Sequence, residues 1–291
     1  MNKLLFFDST LRDGSHAVAH QINIASIKKY CREIDNAGLH TVIVGHGNGL
    51  GASSLQVGLA IASDEEMLKT ARRELKKTKL GAFLIPGFGT IKENIQPAID
   101  VGVDLFCIAI HCTEADVTFQ HIEYVRNKGK DAYGILMMQH MVSKEKLLEE
   151  ALKMQGYGAQ GVILMDSAGA SIPSAISERV KFLSGNLNIK VGFHAHNNLG
   201  LAIANSFIAI ESGAEIIDGT LRGFGAGAGN CQLEVLAGLL SKMGIDSGLD
   251  LYRLMDVSDN IVAKIMKTPQ EITSISLISG IAGVFSGFSG H

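Results

Sequence analysis

The sequence predicts a (β/α)8 TIM barrel with additional C-terminal helices. Three observations carry that expectation. Apolar, strand-like runs recur eight times, segments of helical periodicity lie between them, and many of those segments end on glycine just before the next run. Strands buried on both faces of a parallel sheet read as near-continuous apolar runs, and glycine past a helix end is a common cap. A helix, a short glycine turn and a strand, repeated eight times, argue for a closed parallel barrel. An open doubly wound sheet is the structural alternative. The count of eight and the lack of a GxGxxG after the first run weigh against it.

LLFFDSTL (4–11) is the first run, and residues 24–37 follow with helical periodicity. TVIVGHG (41–47) is the second strand, with a helix over 63–77. KLGAFLIP (79–86) and LFCIAIHC (105–112) are the third and fourth, and 115–128 is the next helix. DAYGILMMQH (131–140) precedes a helix over 143–156, GVILMDSAG (161–169) one over 174–184, and KVGFHAHN (190–197) one over 200–212. EIIDGTLRGFG (215–225) is the eighth run, with a helix over 232–243. Gly38, Gly129, Gly158 and Gly213 close helical segments. Past the eighth unit, 249–266 and 274–288 read as extra helices. The expected division is a catalytic barrel over 1–245 and a shortened helical extension over 246–291 packed on it.

Composition narrows the class. The 291 residues are 46% hydrophobic and 19% charged, an ordinary globular balance with ample apolar content for a core. The 26 basic and 29 acidic residues are spread evenly, so no basic stripe points to nucleic acid. Cys31, Cys107, Cys112 and Cys231 form no CxxC pair and read as reduced thiols of a cytoplasmic protein. The N-terminus meets charged and turn residues too soon for a signal sequence. The most apolar late stretch, 275–288, is broken by Gly and Ser and falls short of the ~20 residues a membrane span needs. It is expected to be a buried or interfacial helix, which favours a homo-oligomer and no membrane.

In a barrel of this kind the chemistry sits where strands end and the following loops begin. Polar residues gather at those ends here, while the strand starts are largely apolar. The sharpest motif is FHAHNN. Alternate residues of a strand share a face, so His194 and His196 point together with Ala195 turned away. Two imidazoles on one face can ligate one ion; the alternative is a pair of hydrogen-bonded core histidines. Asp13, just past the first strand in STLRDGSH, is the best third ligand, because strands one, seven and eight are neighbours in a closed barrel. An Asp and two His with open positions suit Mn2+, Mg2+, Co2+, Fe2+ or Zn2+, and the oxygen ligand favours Mn2+ or Mg2+. Arg12 is either a salt-bridged rim residue or a guanidinium that stabilises an oxyanion beside the metal. His16 is either an exposed loop histidine or a general acid–base. RGFGAGAGN (222–230) either cradles an anion with its amides or packs strand against helix, and Asn230 stands within reach of the ion or its water. DSAGA offers Ser167 for a carboxylate, with Asp166 read as structural. His46, His111 and His140 are candidate liners of the pocket.

These residues carry a family resemblance. FDSTLRDGSHAVAHQ, VGFHAHNNLGLAIANS and GFGAGAGNCQLE resemble the 4-hydroxy-2-oxovalerate aldolases, within the wider superfamily of HMG-CoA lyase and the isopropylmalate and homocitrate synthases. TLRDG and HxHN mark the superfamily; GSHAxxHQ and GFGAGAGN point to the aldolase branch, over about residues 4–290. The resemblance implies metal-dependent cleavage of 4-hydroxy-2-oxoacids to pyruvate and an aldehyde with Mn2+ or a similar ion. It implies Asp13, His194 and His196 as metal ligands, Arg12 as the arginine that stabilises the pyruvate enolate, and His16 as the histidine moving the proton at the C4 hydroxyl. Ser167 falls where the family contacts the pyruvate carboxylate. Two departures stand out. GVFSGF places Phe285 at the substrate-facing position where the family usually has Tyr. The sequence also stops at His291, short of the region by which family members dock an acylating aldehyde dehydrogenase, so either that partner is absent or different, or the sequence is a piece of a longer chain.

Two other functions compete. An acyl-CoA lyase or Claisen-type condensing enzyme would share the metal site. HMG-CoA lyases carry a cysteine within the glycine loop after the eighth strand, whereas Cys231 follows Asn230 outside the glycines. A non-catalytic barrel subunit is the third reading; Arg12, Asp13, His16, His194 and His196 together count against it.

Overall fold

A computed structural model of the chain describes residues 3–285. Eight parallel strands close in sequence order, from β1 (Leu5–Asp8) and β2 (Thr41–Ile43) through β3 (Lys79–Leu84), β4 (Leu105–His111), β5 (Asp131–Met137), β6 (Gly161–Asp166) and β7 (Lys190–Ala195) to β8 (Ile216–Gly219). The ring shuts where Leu5 pairs with Ile216 and Phe7 with Asp218. All eight expected runs hold a strand, each shorter at its carboxyl end than the apolar run. The reason is visible after β1, where the Asp8 carboxylate accepts the Thr10 N–H at 2.9 Å and turns the chain out of the sheet.

Alternation along each strand divides the apolar residues into two sets. Phe7, Ile43, Phe83, Cys107, Ile135 and Met165 belong to a cluster filling the barrel, where Phe7 meets Tyr133 edge-on with centroids 5.1 Å apart. Phe6, Val42, Leu80, Phe106 and Phe193 face outwards into the larger layer between strands and helices. Each fully buried Phe or Leu contributes roughly 1.5–3 kcal/mol, so the two layers together dominate stability.

The surrounding helices are α1 (Gly14–Ala17), α2 (Ile24–Ile34), α3 (Asp64–Glu74), α4 (Gln96–Val101), α5 (Phe119–Asn127), α6 (Lys144–Gly156), α7 (Pro173–Ser184), α8 (Ala202–Glu211) and α9 (Leu233–Lys242). Polar residues start several of them: Asn23, Ser63 and Ser143 accept the N–H of Ser26, Glu66 and Lys146. The stretch between β3 and β4, which has no strong helical stripe, nevertheless folds as a π-turn over Ile91–Ile95 and then α4, closed by Gly102 at φ 104°.

After the barrel come α10 (Leu251–Val257), α11 (Ala263–Met266) and α12 (Ser274–Ala282). α10 packs against α2 and α9. α12 begins with a reciprocal Thr273–Ser276 capping box. Of the expected buried or interfacial helix, burial is not met within one chain: Ile275, Ile278 and Ile281 are 63%, 65% and 72% exposed, while Ser276 and Gly280 face inwards. The end of the expected 274–288 helix lies outside the described residues. Among the described residues no helix is long and apolar enough to cross a membrane.

Candidate metal centre

β7 sets the site. Phe193 and Ala195 belong to the outer layer, so His194 and His196 point to the other face by strand alternation. Asp13 follows β1, two strands away through β8. One ligand atom from each of Asp13, His194 and His196 lies within 4.8 Å of the others, and all three residues are buried. The expected trio is therefore brought together.

Neighbouring side chains orient it. His194 Nδ1–H donates to Asp218 Oδ2 at 2.8 Å, and Ser9 Oγ–H donates to Asp218 Oδ1 at the same distance. With its proton on Nδ1, His194 turns Nε2 towards the cluster. That Nε2, His196 Nδ1 and Asn230 Oδ1 are all buried with no hydrogen-bond partner among the described residues. Orphaned buried acceptors cost roughly 1–3 kcal/mol each, and a cation among these donors satisfies them. A carboxylate and two imidazoles, one of them oriented by a second carboxylate, suit a divalent ion, so the residues present fit one.

Asp13 is held from several sides. Oδ1 accepts from Arg12 Nη1 at 2.8 Å; Oδ2 accepts from Asn230 Nδ2 at 2.6 Å and the Ala226 N–H at 3.2 Å. Burial alone would raise its pKa, but the Arg12 guanidinium holds the carboxyl well below the usual range. Burial pushes His196 down to about 4, so its imidazole is neutral at pH 7, as a ligand must be. The glycine-rich loop turns out to serve Asp13 and Asn198: the Ala226 amide meets the first and the Ala228 amide, at 3.0 Å, the second. Gly225 is required there, because a Cβ would lie 2.3 Å from Asp13 Oδ2 and 1.9 Å from Asn230 Nδ2.

Arg12 is 3% exposed. Its guanidinium carbon lies 4.3 Å from the Phe83 ring centroid. Nη1 also reaches the Gly47 carbonyl and Nη2 the Ser9 hydroxyl, both at 3.4 Å, while Nε has no hydrogen-bond partner among the described residues. A cavity of about 970 Å3 opens on this face, lined in part by His16, His20, His111, Met137 and Phe285. An adjoining recess reaches Arg12, Asp13, Phe83 and His196 and shares His16 and Phe285 with it. Burial, reinforced by the Arg12 charge, lowers the His16 pKa against the pull of Asp13.

Ser167 is not brought to the cavity lining. It is fully buried and its Oγ accepts the Met138 N–H at 3.0 Å. Asp166 accepts the Ala170 and Ser171 amides, a structural arrangement. His46 contacts the Gly58 carbonyl, His140 the Gly283 carbonyl, and His111 the Thr113 hydroxyl. The sequence patterns single out none of Asp218, Phe83 and His20 for a role of its own. Asp218 was findable: in a closed barrel it stands opposite His194, its register partner. Phe83 carried no signal beyond its apolar strand.

A closed (β/α)8 barrel with a buried Asp–His–His cluster at the carboxyl ends of its strands defines a barrel protein with a candidate cation site. The chain belongs to the HMGL-like family, which it matches over residues 3–261. It is similar to the 4-hydroxy-2-oxovalerate aldolase of Spirochaeta aurantia, 54% identical over 97% of this chain and 83% of the relative. It is 51% identical to the enzyme of that name from Pectobacterium atrosepticum, over 99% of this chain and 84% of that one. In structure it resembles the N-terminal domain of a protein described as a putative aldolase from Bacteroides vulgatus, with a TM-score of 0.83 at 23% identity, covering 98% of this chain and 95% of that one.

Proposed function

We propose that this chain is a divalent-metal-dependent carbon–carbon lyase that cleaves 4-hydroxy-2-oxoacids to pyruvate and an aldehyde. The observation that carries the reading is the buried cluster of Asp13, His194 and His196 with Arg12 against it, in a chain about half identical to relatives named 4-hydroxy-2-oxovalerate aldolase. Asp13, His194 and His196 would hold the ion, with Asn230 Oδ1 beside them; Mn2+ suits this mixed oxygen and nitrogen set. When bound, the ion supplies Lewis acidity to the 2-oxo group of the substrate.

The chain's own residues do the rest. As the C3–C4 bond breaks, negative charge develops on the oxygen at C2. Arg12, held over the Phe83 ring and with Nε unpartnered among the described residues, is placed to stabilise it. His16 takes the proton of the C4 hydroxyl, so that the electrons of that O–H bond form the aldehyde carbonyl. Its lowered pKa keeps the ring neutral and able to accept at pH 7. Phe285 lines the cavity beside His16 and contributes apolar surface but no hydroxyl. Ser167 shapes the cavity through the Met138 amide it holds.

The competing acyl-CoA lyase reading lacks its cysteine: the Cys231 thiol is fully buried and burial pushes its pKa up to about 12. All four cysteines are buried and free, which suits a reducing compartment such as the cytoplasm. The exposed face of Ile275, Ile278 and Ile281 suits contact between copies of the chain. The test of function is a coupled assay for pyruvate from 4-hydroxy-2-oxoacids of graded chain length, with Mn2+ and with chelator. Pyruvate released with Mn2+ and abolished by chelator is expected; no pyruvate from any of them refutes the proposal.

A further inference from the structure

His16 stands on α1, a helix of four residues at the mouth of the barrel. So short a helix does little to fix a side chain, and a proton acceptor works only when its ring faces the proton it takes. The ring is bounded on two sides. One is the backbone of Gly47, where an added Cβ would lie 2.4 Å from His16 Nε2. The other is His20, whose ring meets that of His16 edge-to-face, with centroids 5.1 Å apart and planes at 69°.

His20 is itself firmly placed. It is 6% exposed, and its ring stacks on His46 at 3.6 Å between centroids and 21° between planes. His46 is locked in one tautomer: Nδ1 accepts the Asn48 N–H at 3.1 Å, so Nε2–H donates to the Gly58 carbonyl at 3.0 Å. The His20 backbone is fixed as well, its N–H donating to Ser15 O at 2.7 Å and its carbonyl accepting from the Ile61 N–H at 3.2 Å. Ala19 and His20 both adopt left-handed φ values, 50° and 60°. Two such non-glycine residues in succession are unfavourable and persist only where surrounding contacts over-determine them. The turn they make sends the His20 ring back under His16.

We propose that His20 is a positioning residue: its ring, clamped on His46, is the wall that holds the His16 imidazole facing the C4 hydroxyl. The inference rests on the role proposed above for His16. The ring face carries the effect rather than its nitrogens: the Nδ1 contacts to Ser15 Oγ at 3.3 Å and the Gly47 N–H at 3.4 Å are at the long limit of hydrogen bonding, and the bond from the ring to the Val57 backbone anchors His20 without touching His16. Charge has no part: burial, with the His46 and His16 rings, pushes the His20 pKa down to about 3.

The test compares two reactions of the whole Mn2+-loaded enzyme. Cleavage of 4-hydroxy-2-oxovalerate needs the hydroxyl proton removed. Decarboxylation of oxaloacetate does not: CO2 leaves and its bonding pair stays on C3, giving the same pyruvate enolate. His16→Ala is expected to lose cleavage and keep decarboxylation; retained cleavage overturns both the role of His16 and this inference. With that role established, His20→Ala is expected to lower kcat for cleavage by about 10-fold or more, since misplacing a reacting group costs up to ~100-fold. KM and the decarboxylation rate should stay within about 2-fold. His20→Phe, which keeps the flat wall without ring nitrogens, should return cleavage to within about 3-fold of wild type. His20→Leu replaces the alanine variant if that one fails to fold. Unchanged cleavage in His20→Ala, or equal losses in both reactions, overturns the inference while leaving His16 in place. A phenylalanine variant as slow as the alanine one assigns the effect to the nitrogens and overturns it too.

Discussion

Replacing Asp218 with Asn keeps the volume of a fully buried side chain, removes its charge and turns one of its two acceptor oxygens into an amide donor, which the rotatable Ser9 hydroxyl can accept. Both carboxylate oxygens are engaged at 2.8 Å, one by His194 Nδ1–H and one by Ser9 Oγ–H. A hydrogen bond to a charged acceptor contributes about 1.5–3 kcal/mol net, against about 0.5–1.5 for a neutral one. The substitution therefore weakens the hold on His194 by roughly 1–1.5 kcal/mol, which is about 10-fold in an equilibrium constant. That falls at the lower end of the ~10–100-fold loss of metal affinity expected when the hydrogen-bond partner of a ligating histidine is removed. The assay is titration of the chelator-stripped protein with Mn2+, by calorimetry or by the signal of the free ion. Ser9→Ala is the control: it removes the other bond to Asp218 and leaves His194 paired, so affinity should fall by less than about 3-fold. A Kd for Asp218→Asn within about 2-fold of wild type, in a protein that still folds, would show that Asp218 does not orient His194 as a ligand.

Four further outcomes are expected. Asp13→Ala should lose metal binding and pyruvate release together, because it deletes the only carboxylate of the trio; activity surviving in a metal-free protein would refute the assignment. Arg12→Ala should lose at least about 100-fold in kcat while Mn2+ affinity changes far less, and normal turnover in that variant would end the oxyanion role. Phe285→Tyr places a hydroxyl beside His16; one added hydrogen bond of ~1 kcal/mol should change the preference between the two C4 enantiomers about 5-fold, read as the ratio of kcat/KM, and an unchanged ratio counts against a substrate-facing position. Burial raises the Asp8 pKa to about 6 against the hydrogen bonds from Thr10 and Tyr30. The folded-state value lies above the unfolded one, so the stabilisation from protonated Asp8 is complete below pH ~4 and lost as pH rises through 6. At 1.36 kcal/mol per pK unit this is about 3 kcal/mol. Asp8→Asn should flatten that part of a urea-unfolding stability profile, and an equal slope in both proteins would refute the shift.

The barrel was legible because both of its periodicities are local. A strand buried on two faces needs a run of apolar residues, and each helix needs a stripe; neither depends on a distant partner. The short helix α4 escaped because it is mostly half-exposed and begins from a π-turn. The apolar stripe of α12 was equally visible, yet a stripe states that a face wants cover and not what covers it; within one chain that face stays open. The roles of Asn230 and the glycine loop were open in the sequence because a flexible-looking loop can bind an anion or pack a helix. The chain path decides, by aiming the Ala226 and Ala228 amides at Asp13 and Asn198.

The sequence alone determined that His194 and His196 share a face, since two residues apart on a strand leaves no other choice. It also determined that Asp13 follows the first strand, next in a closed ring to the eighth. What only the tertiary structure decided is everything that depends on angles between elements. The Asp218 carboxylate that turns His194, the Phe83 ring under Arg12 and the His20–His46 stack beside His16 each join segments from different βα units. Their contacts are set by the closure of the barrel to within a few tenths of an ångström, a distance on which hydrogen bonds and ring contacts depend and on which local sequence patterns carry no information.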